Sequence, residues 1–341
     1  MIGYFSGVKL PLRVLSILSI VAWAGAVEPA ASPALEKGKS DQVTGNVSPG
    51  TATPQPAQQG VDKSLDRPPG VKRTPQIMTA ELKAAAELVR AGQIMDAEHL
   101  AAGLKLPTHE KVALCAPLQT RLSGREIAEH ARAGYVRVGW YYHCSECGNW
   151  HVNTSGGYAI AADTVATAYH VLESPAKMRN AEGYPIAVRN ESEVFPVLAV
   201  LAADKDMDAV VLRIGASNLA PLALSDDERV GDTVFCLSDP HGVRGYFSSG
   251  MINRFFSTRP GAGSDARFQR INVSTDWAPG SSGAAVLDER GNVAGHVARI
   301  FSIFNDQQAP DANDHAGAGP ATLMNLHEAV PAKSVRALIA N

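Results

Sequence analysis

The sequence predicts a turn-rich, all-β body preceded by a few short helices. Thirty glycines and 21 prolines in 341 residues supply turns at the density such a fold needs. Apolar runs of strand length, at 158–161, 164–168, 209–212 and 284–287, are each bounded by turn residues. Hydrophobic residues make up 45% of the chain, enough for a sizeable core. Charged residues make up 19% and the net charge is −3, so nothing in the composition points to a nucleic-acid partner.

From the N-terminus, Lys9 and Arg13 precede an apolar run at 14–21, and Ala24-Gly25-Ala26 closes it. This is the layout of a signal peptide over residues 1–26, with cleavage at an A-x-A site. The run is short for a membrane span, so export to the periplasm or the exterior is expected, with no stable membrane anchor after cleavage. Residues 27–76, rich in Pro, Ala, Gly, Ser, Thr and Gln, predict a disordered linker. A helical segment is expected at 77–132. Leu82, Ala85, Leu88, Val89, Ile94 and Ala97 fall at helical spacing with a break at Gly92, and Ser123 with Glu126 forms an N-terminal capping signature. These helices either pack on the β body or form a small module of their own.

Next come two strand-like runs, 135–143 and 150–153, separated by Cys144-Ser145-Glu146-Cys147-Gly148. A Cys-x-x-Cys-Gly hairpin tip has two chemistries, besides remaining as free thiols. In an exported protein the pair oxidises, Cys144 with Cys147 or one of them with Cys115. Alternatively it holds zinc, with His143, His151 or Cys115 completing the ligands. The disulfide is the expectation here, with no metal and no cofactor. Cys236, inside an apolar run, reads as core.

Three separated segments carry the chemistry. His170 follows the apolar run 164–168, Asp208 stands at the mouth of the run 209–212, and Ser282 lies in Pro279-Gly280-Ser281-Ser282-Gly283. A serine hydroxyl needs a base to take its proton, and that base needs a carboxylate to fix its tautomer. Gly280 and Gly283 permit a tight turn that exposes the hydroxyl and directs the N–H groups of Gly280 and Ser282 toward one oxyanion. Each segment alone has an ordinary structural explanation; the three in order imply a serine hydrolase.

These segments resemble those of chymotrypsin-fold serine proteases, most of all the bacterial trypsin-like branch that includes the HtrA (Deg) proteases. The resemblance rests on Thr167-Ala168-Tyr169-His170-Val171, on Asp204 with Asp208-Ala209-Val210-Val211-Leu212, and on Thr275-Asp276 with Pro279-Gly280-Ser281-Ser282-Gly283. It covers about residues 133–305. It implies two six-stranded antiparallel β-barrels, about 135–214 and 222–300, with the site in the cleft between them and residues 306–341 forming a loop and a C-terminal helix. It also implies that His170 is the general base, that Asp208 orients it, and that Ser282 is the nucleophile acting on polypeptide substrates. Val297, Ala298 and Arg299 would contact the peptide by strand addition.

Departures from the family pattern sharpen the expectations. Ala284-Ala285 replaces the usual Gly-Gly, Gly-Pro or Ser-Pro, and alanine would be strained at a positive φ. Past residue 305 little length remains for the PDZ modules of HtrA proteins, so a bare catalytic domain is expected. Asp276, six residues before Ser282, either floors a pocket for Lys and Arg side chains or caps its own loop, with Arg299 available to neutralise it. The second option is expected, leaving a pocket for small apolar side chains. An inactive peptide-binding relative and a serine esterase remain the alternatives; oligomeric state is not indicated.

Overall fold

The computed structural model describes residues 75–190, 192–259, 267–304 and 322–340. The expected signal peptide, all but the last two residues of the expected linker, and most of the loop expected after residue 305 lie outside these residues. Among the described residues no helix is long and apolar enough to cross a membrane.

Helices α1 (Pro75–Arg90), α2 (Ala97–Lys105) and α3 (Gly124–Gly134) form where the periodicity places them. Gly92, at φ +64°, follows α1. Asp96 caps α2 by accepting the His99 N–H at 2.9 Å. Both arms of the α3 capping box are made: the Ser123 N–H donates to Glu126 Oε2 at 2.7 Å and the Glu126 N–H to Ser123 Oγ at 3.3 Å. The helices pack on the β body. Ala85 of α1 is buried beside Tyr141, Ile186 and Val188. Leu100 of α2 joins the core around Val138 and Val165, and Ile127 and Ala131 of α3 join that around Ile160 and Leu224.

The β body has two barrel-like halves. The first contains β1 (Arg137–Cys144), β2 (Trp150–Ser155), β3 (Tyr158–Ala161), β4 (Thr164–Thr167), β5 (Met178–Arg189), β6 (Glu193–Asp204) and β7 (Ala209–Ile214), in the order β2-β1-β5-β6-β7-β4-β3. An antiparallel bridge between Tyr135 and Tyr158 brings the start of β1 back to β3. Six strands thus complete the circuit, and β2 is a seventh added outside β1. The second half is a closed six-stranded barrel of β8 (Thr233–Ser238), β9 (Tyr246–Thr258), β10 (Phe268–Val273), β11 (Ala285–Leu287), β12 (Val293–Phe304) and β13 (Thr322–Pro331). Its sixth strand, β13, lies beyond the boundary at 305 that the sequence suggested, and α4 (Ala332–Ala340) follows it. Without β13, strands β10 and β12 would carry bare edges, so the barrel needs it to close.

Ile160 and Leu201 from the first half meet Leu237, Ala285 and Leu287 from the second in one apolar cluster, sealed by α3 and Val335 of α4. Burying each large aliphatic side chain there contributes about 1.5–3 kcal/mol. This seam holds the loops that follow β4, precede β7 and precede β11 on neighbouring elements.

Candidate active site

His170 lies in a 3₁₀ turn, Tyr169–Leu172, directly after β4. Its Nδ1 stands 3.0 Å from each carboxylate oxygen of Asp208, and its backbone N–H donates to Asp208 Oδ1 at 3.1 Å. A carboxylate only accepts, so Nδ1 carries the proton and Nε2 is left as the basic nitrogen. Burial disfavours the imidazolium, but the hydrogen bond and charge of Asp208 outweigh it and raise the His170 pKa above its ordinary value. For Asp208, burial works upward, while the bonds and charge of His170 win and lower its pKa.

The loop before β7 is tightly specified. Asp204 Oδ1 accepts the Met207 N–H at 2.8 Å, shaping the turn that delivers Asp208. Asp208 itself has φ +60°, a left-handed conformation that Asp tolerates better than most residues. Its carbonyl accepts a hydrogen bond from Nε2 of His296 at 3.0 Å. His296, on β12, is fully buried, and burial lowers its pKa to about 4, so it is neutral. With its proton on Nε2, its Nδ1 accepts the Tyr158 hydroxyl at 3.4 Å. Arg270, also buried, donates to the Asp206 carbonyl at 3.3 Å. Sequence reasoning missed this pair of braces, because their partners in the Asp208 loop lie 64 and 88 residues away in the chain.

Ser282 is half-buried at the turn between Pro279 and Ala284, whereas Ser281 is wholly buried. Two internal bonds tighten this turn, Ser281 N–H to Ala278 O and Ala284 N–H to Ser281 O, both 3.0 Å. Gly280 and Gly283 have φ of +101° and +80°. A Cβ on Gly283 would lie 2.1 Å from Thr167 Oγ1 and 2.5 Å from the Gly156 carbonyl, so only glycine fits. Ala284 is spared that demand: it is not among the residues of positive φ. Among the described residues, the N–H groups of Gly280 and Ser282 have no protein acceptor, which leaves both available to an oxyanion. The Ser155 hydroxyl donates to the Ser282 carbonyl at 3.0 Å and steadies the turn from the first half. No hydrogen bond joins Ser282 Oγ to His170 among the described residues; such contacts commonly tighten only when substrate is bound.

The candidate substrate-binding residues divide. Val297 is buried, and its backbone is already used: its N–H donates to Ala284 O at 2.9 Å and its carbonyl accepts the Gly283 N–H at 2.7 Å. Ala298 is buried and Arg299 exposed, just past the point where pairing toward β11 ends. Arg299 does not neutralise Asp276; it pairs with Glu328 at 2.6 Å. Asp276 is exposed, and its backbone rather than its carboxylate is tied down, donating to Ser248 Oγ at 3.2 Å and accepting from it at 3.0 Å. The expected carboxylate cap is therefore replaced by a backbone clasp on Ser248.

Beside Gly280 opens a cleft lined by Arg137, Asn153, Thr154, Asp239, His241 and Arg244. Arg137 is buried and donates to Glu81 Oε1 of α1 at 2.8 Å; Arg244 bridges Glu81 at 3.3 Å and Asp239 at 2.7 Å. This network was invisible in the sequence.

No disulfide joins the cysteines in the structure. The Cys144 and Cys147 sulfurs instead share a cluster with His151. Cys115 is not part of it, its sulfur lying 4.0 Å from the Pro221 carbonyl. His143 is engaged on both ring nitrogens, by Glu182 at 2.5 Å and by the Gly148 carbonyl at 3.0 Å.

Several known proteins are similar to this chain. Residues 154–295 match the model of the trypsin-like peptidase domain. The chain is 28% identical over 144 residues to chloroplastic Protease Do-like 1 of Arabidopsis thaliana, covering 40% of this chain and 31% of that protein. It is 29% identical over 149 residues to a probable periplasmic DegP-like serine endoprotease of Halomonas elongata, covering 43% and 29%. Against serine protease PepD of Mycobacterium tuberculosis the identity is 32% over 114 residues, covering 31% and 25%. The aligned part spans less than a third of the length of these relatives. Among solved structures, the HtrA-type protease AlgW with a tripeptide aligns at a TM-score of 0.46 and 19% identity, over 64% of this chain and 63% of that one. Over residues 154–295 the chain is thus similar to the trypsin-like peptidase domain, and over a comparable stretch to DegP-like serine proteases.

Proposed function

We propose that the protein is an exported serine endopeptidase that works through an acyl-enzyme. The observation that carries this reading is the His170–Asp208 pair: it fixes the Nδ1–H tautomer and leaves Nε2 basic, on an element packed against the turn that presents Ser282. In the first half-reaction Nε2 takes the Ser282 proton as Oγ attacks the peptide carbonyl. The N–H groups of Gly280 and Ser282 receive the oxyanion, and the imidazolium then gives its proton to the leaving amine. Water, deprotonated by the same nitrogen, releases the acyl group and restores Ser282. Substrate backbone pairs with β12 beyond Val297, and the exposed position of Asp276 favours small apolar side chains before the scissile bond over Lys or Arg. Export rests on the N-terminal segment and on relatives named as periplasmic.

Labelling by a fluorophosphonate probe tests the chemistry. Wild type and Ser281→Ala are expected to label, and Ser282→Ala is not, with peptide hydrolysis falling by about 10⁴-fold. A wild type that neither labels nor cleaves would favour a peptide-binding protein with a silent site. Loss of labelling in Ser281→Ala but not Ser282→Ala would move the nucleophile by one residue.

A further inference from the structure

The tip of the β1–β2 hairpin is built as a ligand set. Cys144 ends β1, Cys147 lies in the turn and His151 is the second residue of β2. Cys144 Sγ, Cys147 Sγ and a ring nitrogen of His151 all lie within 4.8 Å of one another, with Cys147 Sγ 3.0 Å from His151 Nε2. Donors on one tetrahedral zinc stand about 3.5–3.8 Å apart, so a shift of roughly an ångström suffices to place all three on one ion.

The turn that carries them is well determined. Gly148, at φ +68°, donates its N–H to the Cys144 carbonyl at 3.1 Å, and the Cys144 N–H donates to Asn149 O at 2.9 Å. Ser145 anchors the tip from outside, its N–H and hydroxyl both donating to the Lys177 carbonyl at 2.8 and 3.1 Å. His143 shapes the turn without joining the cluster: its ring stacks on Trp150 at 5.3 Å and its nitrogens are held by Glu182 and Gly148. Cys144 is buried while Cys147 is exposed, so the set opens toward solvent on one side.

We propose that Cys144, Cys147 and His151 bind one zinc ion, with a water or small exogenous ligand in the fourth position. Two sulfurs and an imidazole suit zinc over the oxygen-seeking divalent cations. The ion would clamp the open end of β2, whose other end places Ser155 against the Ser282 carbonyl. The site lies apart from the residues proposed to react and ties together the hairpin whose far end carries Ser155.

The test uses the mature full chain, purified reduced and without oxygen. Zinc is titrated against a chromophoric chelator, and cobalt is substituted to read coordination from its visible spectrum. One equivalent is expected, with thiolate-to-cobalt charge transfer and the intense d–d bands of a tetrahedral site. Cys147→Ser and His151→Ala, at accessible positions and checked for folding by circular dichroism, are expected to weaken binding by roughly 100-fold or more. Cys115→Ser is expected to bind as wild type does. Failure of the reduced chain to bind an equivalent, or unchanged affinity in His151→Ala, would overturn the proposal. So would recovery of the exported protein with a Cys144–Cys147 crosslinked peptide by mass spectrometry.

Discussion

Replacing Glu81 by Gln removes one charge from a site with almost no access to water. Glu81 is fully buried on α1, and its partner Arg137 has a side chain 3% exposed. At 2.8 Å, with an effective dielectric constant of about 20, their gross attraction is roughly 6 kcal/mol. Desolvation offsets much of that when both charges are present; without the Glu81 charge Arg137 keeps Thr154, the Asn190 carbonyl and the more distant Asp239, but loses its nearest carboxylate, at a cost of up to about 3–5 kcal/mol. Burial, with the neighbouring Arg244 cation, lowers the Arg137 pKa to about 10. For a domain of this size the loss corresponds to a fall in Tm of roughly 6–20 °C. Glu193→Gln is the matched control. Its pair with Arg189 has the same 2.8 Å separation, but Glu193 is 43% exposed, so at most about 1 kcal/mol is expected. Urea denaturation followed by tryptophan fluorescence, with calorimetry at one scan rate, reads both. If Glu81→Gln cost no more than Glu193→Gln, burial would not be what gives this ion pair its weight.

Two further outcomes follow from the site. Because Asp208 raises the His170 pKa, kcat/KM is expected to fall on acidification through a value above that of an ordinary imidazole, about 6.5; Asp208→Asn is expected to move that limb to lower pH, and an unmoved limb would remove Asp208 from this role. Gly283→Ala is expected to lower kcat by about 10²-fold by displacing the Ser282 turn, whereas Gly92→Ala, also at positive φ but with open space around it, is expected to leave kcat unchanged; equal kcat in the two variants would mean that the close approach to Thr167 is unimportant.

The parts readable in the sequence are those specified locally. The α3 capping box needs only Ser123 and Glu126, three residues apart, and both bonds form. The turn around Ser282 announces itself through two glycines, and the strands leading to His170 and Asp208 through short apolar runs. What stayed hidden depends on partners distant in the chain. Glu81 looks like any solvated charge on an amphipathic helix until Arg137, 56 residues away, is placed beside it. His296 acts through the carbonyl of Asp208, 88 residues distant. Strand β13 escaped notice because its first four residues are exposed and its last four buried, so no alternation marks it. For the Cys144–Cys147 pair, the sequence offered His143, His151 and Cys115 as further ligands; the β1–β2 register, which sets His151 opposite Tyr142, was needed to single out His151.

Gly283 belongs to the second barrel, yet the atoms that forbid it a side chain, Thr167 Oγ1, the Gly156 carbonyl and the Ala168 nitrogen, all belong to the first. Ser282 and His170, the proposed nucleophile and base, are thereby registered across a joint instead of within one half. A chain still emerging during synthesis, or one with either half loosened by heat, has no partly working version of this site. If the protein hydrolyses peptides as proposed, that capacity would arrive and depart with the mating of the two halves, so a damaged copy would fall silent before it could cut indiscriminately.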